Sequence, residues 1–495
     1  MVKLRKILFF IFTVLYIVLC PALILSSLGI VIKPGHGTKN VVKTGIIYVS
    51  SIPSGALVVL NGKPTNGQTP TVINNLPPGI YTLEVTAKNY QPWKTTVTVA
   101  AETATPLEGI LLIPQFLNIV ELSSIPFNTL IPVAGNPYLI ATNGPNVENA
   151  FVHIWDEGIT QNLIPDDETK VVKLKPLFPA DFDQRTARIV RWHTINNSPY
   201  LLVEIEANGN KRFLWIDPLF GTPKIEDITD LFPVAPEEIQ WAQNDARHLL
   251  TFQNNTINRI DIATKAIYPK VIDHAAAFSQ FEQTIFFLTE DKTLKKANAN
   301  GNNQELLSKN PVFNDLVASH FPFEKIIAVA DNVVVLLGQR GEVLCNLKPY
   351  FLTESGIEGF KWNEKPQRLM LWSKNKIGFI DFSKRPQDVA PKVTWITDKA
   401  ENIANAFWVN EGSHVLFVDN NQIFIADTGC CGPPGVQKIM DVAKGTSIYY
   451  TDRIEKIFFT DKDTKHLFSA EMHPQKTLRS VVNFEQRAKK AEPIQ

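Results

Sequence analysis

The segment WVNEGSHVLFVDNNQIFIAD, from Trp408 to Asp427, carries the pattern that decides the fold of most of this chain. A tryptophan is followed by the apolar run VLFV, then by the turn pair Asn420 and Asn421, and then by a second apolar run that ends at an aspartate. Two apolar runs separated by a short polar turn predict a β-hairpin. The segment therefore indicates two antiparallel strands.

The same pattern recurs along the chain. WNEKPQRLMLWSKNKIGFID, from Trp362 to Asp381, matches it at the same offsets, and WAQNDARHLLTFQNNTINRID, from Trp241 to Asp261, is a third copy. Weaker copies, and one earlier hairpin, begin at Tyr138, Trp192, Phe278, near Ile326 and at Tyr450. The six steps from Trp192 to Tyr450 average about 43 residues, a period typical of propeller blades.

Residues 115–484 are therefore predicted to form a β-propeller of about eight blades, with seven as the alternative. Runs such as LLTF, VVVLL and LMLW are apolar on both faces, as expected for middle strands that neighbouring blades cover on both sides. The stretch from Phe116 to Leu122 is predicted to pair with the last blade and close the ring. A core of parallel βαβ units is the competing fold, but few amphipathic helical patterns are present to supply its crossovers.

The repeat resembles the blades of TolB-like and WD40-like propellers, most closely from Trp408 to Phe417. It departs from true WD40 repeats because it lacks their recurrent Gly-His and Trp-Asp pairs. The resemblance implies the propeller fold.

Residues 45–114 read as short strands separated by turn signals. Asn61 and Gly62 form a good hairpin turn because both accept positive φ, and Tyr81, Leu83 and Val85 alternate with polar residues as in a half-buried strand. This pattern predicts a small antiparallel β-sandwich.

Four short motifs in this segment resemble the PEGA domain, a β-sandwich module of envelope proteins. They are PSGA from Pro53, GQTP from Gly67, LPPG from Leu76 and AKNY from Ala87. Ser54 departs from the acidic residue that gives the family its name. The resemblance implies an extracytoplasmic binding or spacer module without catalytic residues. Tyr90 and Trp93 are predicted to plug the end of the sandwich rather than to stack on sugars.

The run from Ile7 to Ile32 is apolar and uncharged, and the basic residues Lys3, Arg5 and Lys6 precede it. About 20 such residues suffice to cross a bilayer as a helix. We therefore predict a transmembrane helix at residues 7–32 that contacts the lipid bilayer, a cytoplasmic N-terminus at residues 1–6, a linker at residues 33–44 and an extracytoplasmic bulk. A cleaved signal peptide is the alternative, with Ser27 to Gly29 as its cleavage site. Residues 485–495 are charged and predicted to be a disordered tail.

Composition and motifs exclude several functions. The 495 residues balance 49 Lys and Arg against 49 Asp and Glu, so a nucleic acid partner is not expected. We find no phosphate-binding loop, dinucleotide fingerprint, nucleophile elbow or metal-spaced cysteines, so no cofactor and no metal site are predicted and an enzyme is less favoured.

His248 and His414 occupy equivalent repeat positions and are interpreted as turn packing. Adjacent Cys430 and Cys431 could form a disulfide, pair with Cys345 or act in redox chemistry, or could be two thiols without a function.

These features together predict a membrane-anchored binding or scaffolding protein of the cell envelope. The propeller would bind an envelope protein or polysaccharide, and the PEGA-like domain would act as a spacer. The alternative is a propeller hydrolase or lyase that acts on an envelope polymer. That alternative predicts acidic and histidine side chains from several blades converging at the channel.

Overall fold

Strands make up most of the structure, and few of the described residues are helical. The computed structural model describes residues 5, 9–17, 19–20, 30–32, 41–133, 138–146, 150–154, 171–173, 186–194, 200–217, 224–242, 247–348, 350, 355–383, 393–428, 435–443, 446, 448–451 and 455–472. Residues 9–17 and 19–20 are helical and mostly exposed. None of the helices formed by these residues combines the length and the apolar character that crossing a membrane requires.

Two short strands near the N-terminus differ from the predicted helix and linker. β1 (Ile30–Ile32) pairs antiparallel with β2 (Val41–Lys43). The predicted transmembrane helix at residues 7–32 therefore does not extend to Ile32, and the predicted linker contains a strand. The sequences IVI and VVK are rich in β-branched residues, which favour strands over helices.

Residues from Gly45 to Leu111 form a sandwich of two sheets, one of three strands in the order β6-β3-β9 and one of four strands in the order β5-β4-β7-β8. Its strands are β3 (Gly45–Ile52), β4 (Leu57–Leu60), β5 (Lys63–Gln68), β6 (Thr71–Leu76), β7 (Gly79–Thr86), β8 (Trp93–Val99) and β9 (Ala104–Leu111). The predicted hairpin turn at Asn61 and Gly62 is confirmed, with φ of 47° and 76°. The predicted all-antiparallel pairing is wrong for one pair, because β9 crosses back from β8 and runs parallel to β3.

Eight small antiparallel sheets follow, which we number 1 to 8 in chain order. Sheet 1 contains β11 (Thr129–Pro132), β12 (Tyr138–Thr142), β13 (Ala150–Ile154) and β14 (Val171–Lys173); sheet 2 contains β15 (Arg188–Thr194), β16 (Leu201–Ala207), β17 (Asn210–Asp217) and β18 (Lys224–Asp227); sheet 3 contains β19 (Glu238–Trp241), β20 (His248–Gln253), β21 (Thr256–Asp261) and β22 (Ala266–Ile272); sheet 4 contains β23 (Ala275–Phe281), β24 (Thr284–Thr289), β25 (Leu294–Asn298) and β26 (Glu305–Leu306).

The last four sheets complete the series. Sheet 5 contains β27 (Phe323–Ala330), β28 (Val333–Gly338) and β29 (Val343–Cys345); sheet 6 contains β30 (Gly359–Asn363), β31 (Arg368–Trp372), β32 (Ile377–Asp381) and β33 (Thr394–Thr397); sheet 7 contains β34 (Ile403–Val409), β35 (His414–Asp419), β36 (Gln422–Asp427) and β37 (Val436–Asp441); sheet 8 contains β38 (Tyr449–Thr451), β39 (Lys456–Thr460), β40 (His466–Glu471) and the earlier strand β10 (Asn118–Pro126). A 3-10 turn (Thr229–Leu231) and a helix, α1 (Pro311–Ser319), lie between sheets.

Alternating side chains of each second strand join a sheet to both of its neighbours. In β31, Leu369 and Leu371 pack against sheet 5, whereas Met370 and Trp372 pack against sheet 7. Successive strand residues point to opposite faces, so a strand covered on both faces must be apolar throughout. Each fully buried Leu or Phe contributes about 1.5–3 kcal/mol. The apolar runs of the repeat are thereby explained.

The two ends of the series meet. β10 pairs antiparallel with β40, which confirms the pairing predicted for the stretch from Phe116 to Leu122. The backbone N–H of Phe127 donates to the Lys465 carbonyl at 2.8 Å. One apolar cluster contains Leu130 of sheet 1, Leu201 of sheet 2 and Ile457 of sheet 8. Sheet 8 therefore packs against sheet 1.

Candidate functional site

One position is equivalent in all eight sheets, and we call it the wall position. It lies in the first strand and pairs with a second-strand residue that is at most 1% exposed. The wall residues are Ile131, His193, Gln240, Ser279, Ile327, Lys361, Phe407 and Tyr449.

Five of these side chains reach the next sheet in the series. His193 Nδ1 lies 3.2 Å from the Ile239 carbonyl oxygen, which can only accept, so Nδ1 is the donor. Gln240 Nε2 donates to the Phe278 carbonyl at 3.1 Å. Ser279 Oγ accepts from the Ala328 N–H at 2.9 Å. Further along the series, Lys361 Nζ lies 3.5 Å from the centroid of the Phe407 ring, which makes an edge contact with Tyr449. The wall position thus links successive sheets.

A cavity of about 880 Å³ opens beside four of the wall residues, and it is lined by the first strands of sheets 2 to 5. This volume is in the range of about 300–1,000 Å³ that small-ligand sites occupy. Both polar and apolar side chains line it, among them Arg191, Glu238, Gln240, Glu324, Lys325 and Ile327. Three of its four strands contain a β-bulge near their start, at residues 189–191, 275–277 and 323–325. Bulges turn side chains away from the regular alternation of a strand.

The charged groups of the cavity differ in whether they have a partner. Glu238 Oε1 accepts from Gln240 Nε2 at 2.7 Å, and Glu237 Oε1 accepts from the Asn254 N–H at 3.1 Å. Arg191, Glu324 and Lys325 are exposed, and no ion pair joins any of them to another described residue. Free charges of both signs are therefore available to a ligand.

His193 also neighbours a buried carboxylate. Its Nε2 lies 3.9 Å from Glu204 Oε2, beyond hydrogen-bond length, and Lys211 Nζ lies 2.7 Å from Glu204 Oε1. The polar contact with His193 is the largest cause that lowers the pKa of Glu204 to about 2, and Lys211 lowers it further. Burial has the opposite effect. Because one ring nitrogen donates to Ile239 and the other is buried facing Glu204, His193 presents neither nitrogen to the cavity.

The two histidines singled out from the repeat occupy a basic position opposite an aspartate. Cross-strand partners are His248 with Asp261 and His414 with Asp427, and the same position in sheet 6 holds Arg368 opposite Asp381. Their interpretation as packing residues fits these contacts. The aspartate that ends the three strong copies of the repeat, at Asp261, Asp381 and Asp427, was the signal that could have revealed these pairs from the sequence.

His414 should make the protein sensitive to acid. The side chain is 3% exposed, and burial lowers its pKa to about 4, against about 6.5 in an unfolded chain. Below pH 6.5 the unfolded state therefore binds more protons, and stability falls until about pH 4. Between pH 7 and pH 4 we expect the wild type to lose about 2–3 kcal/mol more than His414→Asn, measured by urea titration. The exposed His274, changed to Asn, is the control, and equal pH profiles for His414→Asn and the wild type would contradict the expectation.

The other predicted features fall in different places. Cys430 and Cys431, the predicted disulfide or redox site, lie outside the described residues, as does the tail at residues 485–495. Cys345 is buried and its thiol pKa is raised to about 12 by burial, so it is not a reactive thiol. Trp93 belongs to the sandwich core and Tyr90 packs against it, as predicted. The described residues contain no cluster of three or more potential metal ligands.

Comparison with known families assigns the sandwich. Residues 44–111 match the PEGA domain. The family suggested by the turn motifs is thereby confirmed over nearly the predicted span. No curated protein sequence matches the chain.

Solved structures with propeller-like folds resemble the chain at low identity. Kluyveromyces lactis Hsv2 is 8% identical, with coverage of 63% of this chain and 97% of Hsv2 and a TM-score of 0.40. Porphyromonas gingivalis dipeptidyl peptidase 4 is 10% identical, with 69% and 56% covered and a TM-score of 0.43. An oligogalacturonate lyase from Vibrio parahaemolyticus is 10% identical, with 73% and 99% covered and a TM-score of 0.38. These similarities are too distant to assign an activity.

The PEGA domain is packed firmly against the eight sheets. Leu112 belongs to the core of the PEGA domain, whereas its neighbours Leu111 and Ile113 belong to the apolar cluster of sheets 1, 2, 7 and 8. The Leu112 N–H donates to the Ile52 carbonyl at 2.9 Å. The junction between the PEGA domain and the eight sheets is therefore held by consecutive residues that pack into two different cores.

Proposed function

We propose that this protein is a membrane-anchored binding protein of the cell envelope whose eight sheets form an eight-bladed propeller with a ligand site in its channel. The ring arrangement is supported by the packing of each sheet on the next and by β10, which pairs with the last hairpin. The main support for a binding function is the cavity lined by sheets 2 to 5, in which the charged side chains of Arg191, Glu324 and Lys325 have no ion-pair partner among the described residues.

The envelope location rests on two features of the N-terminal part. The apolar run that precedes β1, from Ile7 to Gly29, has the length and lack of charge of a membrane anchor. The PEGA domain is a module that we associate with envelope proteins. Because its last strand continues directly into the propeller core, it would hold the propeller at a fixed distance and orientation from the anchor.

A hydrolase or lyase acting on an envelope polymer is the second candidate. It is favoured by one observation: His193 and acidic residues from sheets 3 and 5 line the same cavity. A general base must present a free lone pair to the substrate. His193 does not, since its two nitrogens face Ile239 and Glu204. Binding is therefore the better-supported function.

Capture from an envelope extract tests the binding function. The full chain in detergent, immobilised, should retain an envelope protein or polysaccharide, and Lys325→Gln combined with Arg191→Gln should weaken that retention about 100-fold or more. Each charge-assisted hydrogen bond contributes about 1.5–3 kcal/mol. Lys309→Gln, which removes an exposed charge outside the cavity, is the control. If the double variant were retained as well as Lys309→Gln and the wild type, the cavity would be refuted as the site, and release of cleaved polysaccharide would favour the enzyme instead.

A further inference from the structure

The cavity of sheets 2 to 5 has a second set of equivalent residues, two residues before the wall position in each first strand. We call this the flanking position, and its residues are Arg191, Glu238, Ala277 and Lys325. Each pairs two places beyond the partner of its wall residue, so the ladder is regular between the two positions. Residues two apart on a strand point to the same face. The flanking side chains therefore share the face of the wall side chains.

The polar wall residues of this cavity are already occupied by neighbouring backbone groups. His193 and Gln240 donate to carbonyls of the next sheet, and Ser279 accepts from an N–H of the next sheet. Arg191 and Lys325 at the flanking position are exposed instead, and they belong to the first and the last of the four sheets. Recognition of a ligand therefore falls to the flanking position.

The bulge of β27 adds a carboxylate beside one of these cations. Phe323 pairs with Gly338 and Lys325 with Leu337, so Glu324 is the extra residue of the bulge. Consecutive side chains of a regular strand point to opposite faces, but Glu324 and Lys325 both line the cavity. Neither forms an ion pair with another described residue. Sheet 5 thus offers the cavity a free carboxylate and a free ammonium.

The charges of the lining argue against an acidic glycan. The ionised side chains are two cations and three carboxylates, namely Arg191, Lys325, Glu237, Glu238 and Glu324. One negative charge is in excess, and a ligand with many carboxylates would be repelled by it.

A neutral glycan fits the lining no better. It would cover Arg191 and Lys325 without pairing their charges, which costs free energy. The aromatic residues of the lining, Trp241 and Phe278, are only 6% and 1% exposed, so neither presents a ring face on which a sugar could stack. A ligand with charges of both signs pairs the free groups on both sides.

We propose that the cavity binds a short peptide whose free ends carry an ammonium and a carboxylate, an inference that rests on the proposed binding function. Arg191 of sheet 2 holds the carboxylate, because its planar guanidinium matches the two oxygens. Glu324 of sheet 5 holds the ammonium, and Lys325 donates to a carbonyl of the peptide. Since sheets 3 and 4 lie between these groups, the peptide spans the cavity.

Four forms of one peptide test the two ends separately. Trialanine with free ends, its N-acetylated form, its C-terminal amide and the doubly blocked form are titrated calorimetrically into the full chain in detergent at pH 7. We expect the free-ended peptide to bind about 10- to 100-fold more tightly than either singly blocked form. Free alanine, which cannot reach both sheets, should bind at least about 10-fold more weakly than trialanine.

Variants assign each end to its residue. Arg191→Gln should bind free-ended trialanine and its amide equally while it still disfavours the acetylated form, and Glu324→Gln should show the reverse. The preference that each variant keeps shows that its cavity is folded. Lys309→Gln, outside the cavity, should keep both preferences.

Three results would count against the proposal. Equal affinity for the free-ended and doubly blocked peptides would overturn it, as would both preferences surviving in Arg191→Gln and Glu324→Gln. If no peptide bound but the capture experiment retained a polysaccharide, the peptide would be the wrong ligand and the binding function would stand. If neither experiment showed binding, both proposals would fail.

Discussion

Replacing Arg368 with Met is expected to lower the free energy of unfolding by about 3–5 kcal/mol, the usual cost of breaking a buried ion pair. Arg368 Nε and Nη2 each donate to Asp381 Oδ2 at 2.9 Å, and Nη1 donates to the Gly412 carbonyl and to Thr428 Oγ1, both at 2.9 Å. The two charged side chains are only 11% and 13% exposed. One guanidinium therefore links sheet 6 to the turn and strand end of sheet 7, and its loss leaves a shielded carboxylate without its counter-charge.

Urea titration of three variants tests this expectation. Arg368→Met combined with Asp381→Leu should be less damaging than Arg368→Met alone, because the double variant leaves no unpaired buried charge. Lys438→Met removes the exposed pair with Asp441, which is 2.8 Å long and 43% and 58% exposed, and should cost less than about 1 kcal/mol. A loss for Arg368→Met as small as that for Lys438→Met would show that the buried network does not stabilise the junction.

The strands of the repeat were predictable because local chemistry decides them. The Asn254 and Asn255 turn adopts φ of 50° and 59°, as its residues favour, and the apolar runs beside it form β20 and β21. The pairing of β10 with the last sheet was predictable because β10 has no hairpin partner next to it in the sequence. Such a strand must pair with the edge of another sheet. The parallel pairing of β3 with β9 was not, because it depends on which sheet of the sandwich the last strand joins.

The site could be predicted only in outline. The sequence places Arg191, Glu238 and Lys325 in different repeats, and nothing local indicates that their strands face one cavity. The bulges beside Arg191 and Lys325 depend on how two strands pair, and the sequence of one strand does not reveal them. The low-pKa amine of Lys361 was missed for the same reason, since desolvation depends on the Phe407 ring of another sheet.

Replacing Lys361 with Met is expected to stabilise the protein, by about 4 kcal/mol at pH 6. A lysine whose folded pKa lies about 3.4 units below its unfolded value destabilises the fold whenever it is charged, at about 1.36 kcal/mol per unit. The cost is complete below the folded pKa of about 7 and disappears as pH rises to about 10.4. Met removes the charge and fills similar space beside Phe407.

The pH dependence separates this effect from packing. Any gain from the packing of Met is the same at every pH, whereas the desolvation term falls from about 4 kcal/mol at pH 6 to about 2 kcal/mol at pH 9. Urea titrations at the two pH values should therefore show the advantage of Lys361→Met shrinking by about 2 kcal/mol. Lys309→Met, at an exposed lysine, should show no such change. If the advantage of Lys361→Met were equal at both values, the amine would be hydrated in the folded protein.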